Sequence, residues 1–299
     1  MNGTPRLDID REQNTGGLAS LPGLQRVGEQ LAGPIAVLRA EQARRKAGVA
    51  VTRPAWKNLV FTGGPGAGKT RAARAVTRIY TELGLLMFGN LREIAAADLI
   101  GTTLQETGTL VAETARRASG DLLMINDAHA WYRLPDRGRH LLGCLYKELT
   151  DSRDHSHDHS GGQLAVILAG REGPLRDMLN ANPALAARFP AVINFPGYTV
   201  GQIAAIFATL AHEAGFTLTP DATRKAATVL AQANADHGSG NARLAVGLLH
   251  QATVSQARRI TTAAQSPDPA TLSTIDAADV PEHVHPPDPP GDDWPGQYL

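Results

Sequence analysis

LVFTGGPGAGKT, residues 59–70, runs from a short apolar stretch into a glycine-rich loop that ends in Lys69-Thr70. Gly63 to Thr70 fills every position of the pattern G-x-x-x-x-G-K-[ST]. An apolar run precedes it and a helix-forming segment, Arg71 to Leu83, follows it. Glycines in such a loop let successive backbone N–H groups converge on an anion, and a helix starting at Lys69 points its positive end at the same place. The expected nucleotide-binding set is therefore Gly63, Gly64, Pro65, Gly66, Ala67, Gly68, Lys69, Thr70 and the following Arg71. Within it, Lys69 reaches the β- and γ-phosphates of ATP and the Thr70 hydroxyl ligates Mg²⁺.

Outward from this loop, strand-like and helix-like segments alternate. Leu91 to Ile94 is a weak strand, Leu104 to Ala118 a helix, and Leu122 to Ile125 a fully apolar strand. Gly138 to Leu149 is again helical, Leu164 to Leu168 a strand, and Val192-Ile193 a last short one. This order predicts an α/β fold, a three-layer arrangement around a parallel sheet. Upstream, Leu24, Val27, Leu31, Ile35 and Leu38 recur at helical spacing. Beyond Pro196 three helical stretches follow, Val200 to Ala214, Pro220 to Ala235 and Asn241 to Ile260, which predict a small all-α lid. The expected organisation is a flexible arm over 1–20, an α/β nucleotide-binding domain over 21–197, a helical lid over 198–262 and a disordered Pro/Asp-rich tail over 263–299.

Composition sets outer limits. The 299 residues carry 29 basic and 29 acidic side chains, so bulk charge gives no reason to expect nucleic acid or an anionic membrane as a partner. A single cysteine, Cys144, excludes an internal disulfide and makes a cytoplasmic setting the expectation. No signal peptide and no membrane span is expected. The run His155, His157, His159 can be read as a metal tract or as a solvated loop insert, and the loop is the preferred reading. Cys144 reads as a core residue, and Trp131 and Tyr132 as packing or interface residues.

A phosphate-loop ATPase usually has a second apolar strand ending in Asp for the Mg²⁺ shell, with Glu beside it to polarise water. The candidate here is Leu122-Leu123-Met124-Ile125-Asn126-Asp127. Asn126 sits at the metal position without a negative charge, and Asp127 at the catalytic-base position is one methylene shorter than Glu. Its oxygens fall short by roughly 1.5 Å, one C–C bond, and a misplacement of about 1 Å can cost on the order of 10²-fold in rate. A swap in which Asp127 serves the metal requires local distortion, because adjacent strand residues face opposite ways.

Six stretches carry a resemblance to a known family: LPGLQRV at 21–27, LVFTGGPGAGKT at 59–70, RIYTELGLL at 78–86, NPALAARFP at 182–190, NFPGYT at 194–199 and GNARLAVGLL at 240–249. The chain resembles the AAA+ ATPases of the CbxX/CfxQ family, which includes red-type Rubisco activases, sporulation protein K and the ATPase modules of type VII secretion systems. The resemblance implies a hexamer, of one chain or of several, with ATP between neighbouring subunits and a protein as substrate or partner. It assigns Arg188 as the arginine finger and Arg243 as the sensor-2 residue of the lid, and it sets Arg171 near the sensor-1 position. Thr103 stands where the family usually carries a pore aromatic after Asp98-Leu99-Ile100-Gly101. The implied activity is ATP hydrolysis coupled to remodelling of a protein partner, with Asp127, Arg188 and Lys69 catalytic. The altered pair Asn126-Asp127 motivates an alternative, a hydrolysis-deficient regulatory or structural subunit. A small-molecule phosphotransferase leaves the lid and Arg243 unexplained.

Overall fold

The computed structural model describes residues 22–49, 57–154, 164–237, 241–262 and 268–284. The expected arm over 1–20 and the run from His155 to His159 lie outside them. The described residues fall into two compact units. One holds the residues up to Gly63 together with Lys69–Phe195, and the other holds Gly64–Gly68 together with the residues from Pro196 onward.

The first unit is built on a five-stranded sheet. Its strands are β1 (Leu59–Gly63), β2 (Leu91–Ala95), β3 (Leu122–Asn126), β4 (Ala165–Gly170) and β5 (Ala191–Phe195), in the order β2-β3-β4-β1-β5. All four pairings are parallel, with Leu59 opposite both Ile167 and Ala191. Strands β1, β3 and β4 are apolar but for Thr62 and the terminal Asn126, because a strand inside a parallel sheet is buried on both faces. Edge strand β5 instead alternates: Ala191, Ile193 and Phe195 are buried while Val192 is exposed.

Helices α1 (Gln25–Lys46), α2 (Lys69–Glu82), α3 (Leu104–Arg117), α4 (Pro135–Asp154), α5 (Glu172–Asn180) and α6 (Pro183–Ala186) complete this unit. In α1 the predicted stripe is the buried one: Val27, Leu31, Ile35 and Leu38 face inward, with Leu24 at the cap. The Gln30 amide pairs with the backbone of Asn194, accepting from its N–H at 2.8 Å and donating to its carbonyl at 3.0 Å. Two outward-facing groups of an edge strand are satisfied in this way. Trp131 is a packing residue, buried, with its indole N–H donated to the Ala96 carbonyl at 2.8 Å. Tyr132 is half exposed, and Cys144 is a partly buried neighbour of the core.

The second unit contains α7 (Val200–Glu213), β6 (Thr217–Leu218), α8 (Pro220–His237), α9 (Asn241–Thr262), α10 (Pro269–Leu272) and β7 (Thr274–Ile275). Thr199 and Gln202 form a reciprocal capping box that starts α7. Helices α7, α8 and α9 pack on one another, and Ile203, Phe207, Leu230, Leu244 and Leu248 are buried among their residues.

The expectation of a disordered tail from residue 263 is corrected over 268–284. Strand β7 pairs with β6, Ile275, Val280 and Val284 are buried, and Asp279 is only 2% exposed. The Arg259 guanidinium holds Asp279 bidentately, at 2.8 and 2.7 Å, and donates a third bond to the Thr274 carbonyl. Gln256 adds a bond to the Leu272 carbonyl. A Pro- and Asp-rich composition hides three apolar anchors and one buried ion pair, which together dock the segment. Among the described residues, no helix is long and apolar enough to cross a membrane.

Burial raises the Asp279 carboxyl, but the Arg259 guanidinium and the Asp276 N–H more than offset this and hold it below the ordinary 3.8. A carboxyl depressed in the fold stabilises it above the unfolded value, and that contribution fades as pH falls through the folded one. Asp279→Asn should therefore cost about 2 kcal/mol at neutral pH. The gap to wild type, followed by chemical denaturation, should narrow as the pH falls below the ordinary carboxyl value of 3.8.

Candidate functional site

In the second unit, the loop Gly64–Gly68 is held by its carbonyl oxygens. Asn241 donates its side-chain amide to Pro65 O at 2.9 Å, the Ala242 N–H reaches Gly66 O at 3.2 Å, and the Tyr198 hydroxyl donates to Ala67 O at 3.1 Å. Asn241 is buried, adopts a left-handed φ of 49°, and accepts the Tyr198 N–H at 2.9 Å. In a planar trans peptide the C=O and the next N–H point opposite ways. Tying the carbonyls of Pro65, Gly66 and Ala67 on one side therefore turns the N–H groups of Gly66, Ala67 and Gly68 to the other, as a phosphate cradle requires. Gly66 itself has φ 69°, a conformation that favours glycine. Arg243 follows in the first turn of α9 and is half-buried.

In the first unit, Gly63 ends β1 against β5. A Cβ there would lie 2.5 Å from the Phe195 carbonyl oxygen, so only glycine lets the two backbones approach this closely. The Lys69 ammonium donates to Gly63 O at 2.9 Å, which holds it at the end of the sheet. Thr70, the next residue of α2, donates its hydroxyl to Glu93 Oε2 at 3.0 Å. Arg71 lies in the same helical turn, half-buried.

Asn126 and Asp127 leave the sheet differently. Asn126 is the last residue of β3 and sends its amide N–H towards Glu93 Oε2 at 3.4 Å. Asp127 turns into a left-handed conformation, φ 54° and ψ 32°, and opens a short 3-10 segment over Ala128–Arg133. The chain thus bends at the position where a swap of roles would need distortion. The Asp127 carboxylate is 79% exposed, with Oδ1 3.9 Å from His129 Nδ1. His129 is nearly buried, and among the described residues its Nδ1 has no hydrogen-bond partner. Burial holds this histidine below its ordinary 6.5, the nearby Asp127 opposing and Arg171, Arg133 and Lys69 reinforcing the shift. Beside Asp127 the ring is therefore uncharged at neutral pH.

Arg171 occupies the N-cap position of α5, with no cap bond from its side chain. Arg188 follows α6 and lies over the Tyr146 ring, 5.1 Å from its centroid. It donates to the Tyr146 hydroxyl at 3.2 Å and to Thr150 Oγ1 at 3.4 Å. Bonding to Arg188 holds the Tyr146 phenol below its usual range. Thr103 is the N-cap of α3: its hydroxyl accepts the Glu106 N–H at 3.1 Å, while the Glu106 carboxylate takes the Thr102 N–H at 2.7 Å.

Sequence reasoning missed Glu93, Tyr198, Asn241 and His129. Glu93 belongs to a weak strand whose neighbour in the sheet is not evident from the order of segments. Tyr198 and Asn241 lie within the stretches NFPGYT and GNARL, yet a hydrogen bond to a loop some 130 to 176 positions away has no local sign.

Residues 59–197 match the ATPase family associated with various cellular activities (AAA), and residues 199–288 match the AAA lid domain. The chain is 30% identical over 279 residues to the protein CbbX of Cereibacter sphaeroides, covering 91% of this chain and 84% of that protein. It is 29% identical over 278 residues to the chloroplastic ribulose bisphosphate carboxylase/oxygenase activase of Cyanidioschyzon merolae, covering 91% of this chain and 89% of the other. It is 33% identical to the ESX-3 secretion system protein EccA3 of Mycobacterium tuberculosis over 199 residues, 66% of this chain and 30% of that one. Among solved structures, the FIGL-1 AAA domain superposes with a TM-score of 0.53 at 17% identity. That match covers 93% of this chain and 90% of the domain, and shows the fold alone.

Proposed function

The chain belongs to the AAA+ ATPases of the CbxX/CfxQ type, and from that premise we propose that it binds ATP with Mg²⁺ through Gly63–Thr70 and couples hydrolysis to remodelling of a protein partner. The observation that carries this reading is the tethering of the Pro65, Gly66 and Ala67 carbonyls, which leaves the N–H groups that follow them for the phosphates. The oxygen donors near the C-terminal end of β3, the Thr70 hydroxyl, the Asn126 amide oxygen and the Glu93 carboxylate, are the hard ligands that suit Mg²⁺. When bound, Mg²⁺ supplies charge neutralisation at the phosphate oxygens.

The chain's own residues do the rest. Lys69 places its ammonium against the β- and γ-phosphates. Asp127, exposed and aimed out of the strand by its left-handed backbone, accepts the proton of the attacking water. Neutral His129 beside it adds no positive charge that would lower the basicity of that carboxylate. Arg188, held over Tyr146, is offered to the γ-phosphate of a neighbouring subunit in a hexamer, and Arg243, in the first turn of α9, acts as the sensor-2 residue that responds to the γ-phosphate. Thr103, which caps α3, offers no aromatic ring to grip a threaded peptide.

The specific observation favouring a second reading, a regulatory or structural subunit with little turnover, is the uncharged Asn126 followed by a short carboxylate at Asp127.

ATP titrated calorimetrically into Lys69→Ala should give no measurable binding, and an affinity equal to wild type would remove the loop from the mechanism. Asp127→Glu should raise steady-state turnover by up to about 10²-fold, since its added methylene recovers a misplacement of about 1 Å. An unchanged rate would show that carboxylate reach does not limit hydrolysis.

A further inference from the structure

Asn126 leaves the metal position at the end of β3 without a charge, and the neighbouring strand supplies one. In the β2–β3 register Glu93 lies opposite Met124 and Ala95 opposite Asn126, so Glu93 is the diagonal neighbour of Asn126 on the same face. Diagonal residues in a sheet are roughly 7–8 Å apart at Cα, a gap that a long side chain spans and a short one does not. The glutamate uses its length to bring Oε2 within 3.0 Å of the Thr70 hydroxyl and 3.4 Å of the Asn126 amide nitrogen. Its other oxygen faces the Arg74 guanidinium at 3.8 Å, and the side chain is a third exposed.

An ionised carboxylate accepts and does not donate, which fixes the direction of both bonds. Thr70 must give its hydroxyl hydrogen to Glu93, which leaves the oxygen lone pairs for a cation. Asn126 must present its NH₂ to Glu93, which turns its amide oxygen the other way. One carboxylate therefore orients two neutral oxygen donors and adds the negative charge that neither carries.

We propose that Glu93 is the anionic member of the Mg²⁺ site, standing in from β2 for the strand-terminal carboxylate that Asn126 lacks. The site takes a hard divalent cation, Mg²⁺ or Mn²⁺, together with the triphosphate. This rests on the ATP-binding reading above. It gives Asn126 a role other than a lost one: its amide completes a hydrogen-bond set centred on Glu93, which an aspartate at the same position would repel.

The test is the metal dependence of ATP affinity, taken as the ratio of the ATP dissociation constant in EDTA to that in excess Mg²⁺. Partners that orient metal ligands are typically worth about 10- to 100-fold in metal affinity, so Glu93→Gln should lower this ratio at least about tenfold. Metal-free ATP binding should persist in Glu93→Gln, which reports that the variant is folded. The double variant Glu93→Gln/Asn126→Asp returns one carboxylate to the site and should recover most of the ratio. A ratio in Glu93→Gln within about threefold of wild type would overturn the proposal, because that is less than orienting partners contribute. A ratio that falls but is not recovered in the double variant would overturn it too, since Glu93 would then act through the fold rather than as the charge of the site. Wild-type protein that binds no ATP in either condition would defeat the functional reading itself, and this proposal with it.

Discussion

Five parallel strands release their chains at one edge of a sheet, and this constraint places the chemistry of the first unit. Parallel hydrogen bonding requires the C-terminal ends of β1, β2, β3 and β4 to lie together. Gly63, Glu93, Asn126 and the turn at Asp127 therefore meet at that edge, although their strands are separated in sequence by helices. Burial of β1, β3 and β4 on both faces makes the register stiff. The same apolar runs that drive folding thus hold the polar ends in position.

Two residues just past β3 depart from what stability alone would choose. Asp127 is a non-glycine residue at φ 54°, in a region that costs of order 1–3 kcal/mol for an ordinary side chain and less for aspartate. His129 buries a ring nitrogen without a hydrogen-bond partner among the described residues, a group whose desolvation costs roughly 1–3 kcal/mol. Both lie within three residues of the end of β3. The second unit carries a left-handed non-glycine residue of its own, Asn241 at φ 49°. Its capping box at Thr199, the buried Asp279–Arg259 pair and the apolar anchors Ile275, Val280 and Val284 all favour one arrangement.

The order of β1 to β5 was legible because the buried strands carry apolar runs, and α1 was legible from its 3.6-residue stripe, whereas the short helices α5 and α6 between β4 and β5 were not read from the sequence. The phosphate loop was legible because its chemistry is local: eight consecutive residues carry glycines, lysine and threonine in order. The segment 268–284 was misread because composition averages over a window, whereas docking depends on Ile275, Val280, Val284 and one ion pair formed with Arg259. Glu93 was missed for a related reason. Its significance comes from β2 lying next to β3, and strand adjacency is a tertiary fact that periodicity along the chain does not carry. Tyr198 and Asn241 belong with it, as loop-holding residues whose partners are distant in sequence.

The central claim is that an AAA+ chain whose β3 ends in Asn-Asp still turns over ATP. Steady-state phosphate release by the purified wild-type chain at saturating ATP, in Mg²⁺ and again in EDTA, tests it directly. The account predicts turnover in Mg²⁺ that vanishes in EDTA. Tight ATP binding with no phosphate release in Mg²⁺ would contradict it, and would identify the chain as a nucleotide-bound regulatory subunit.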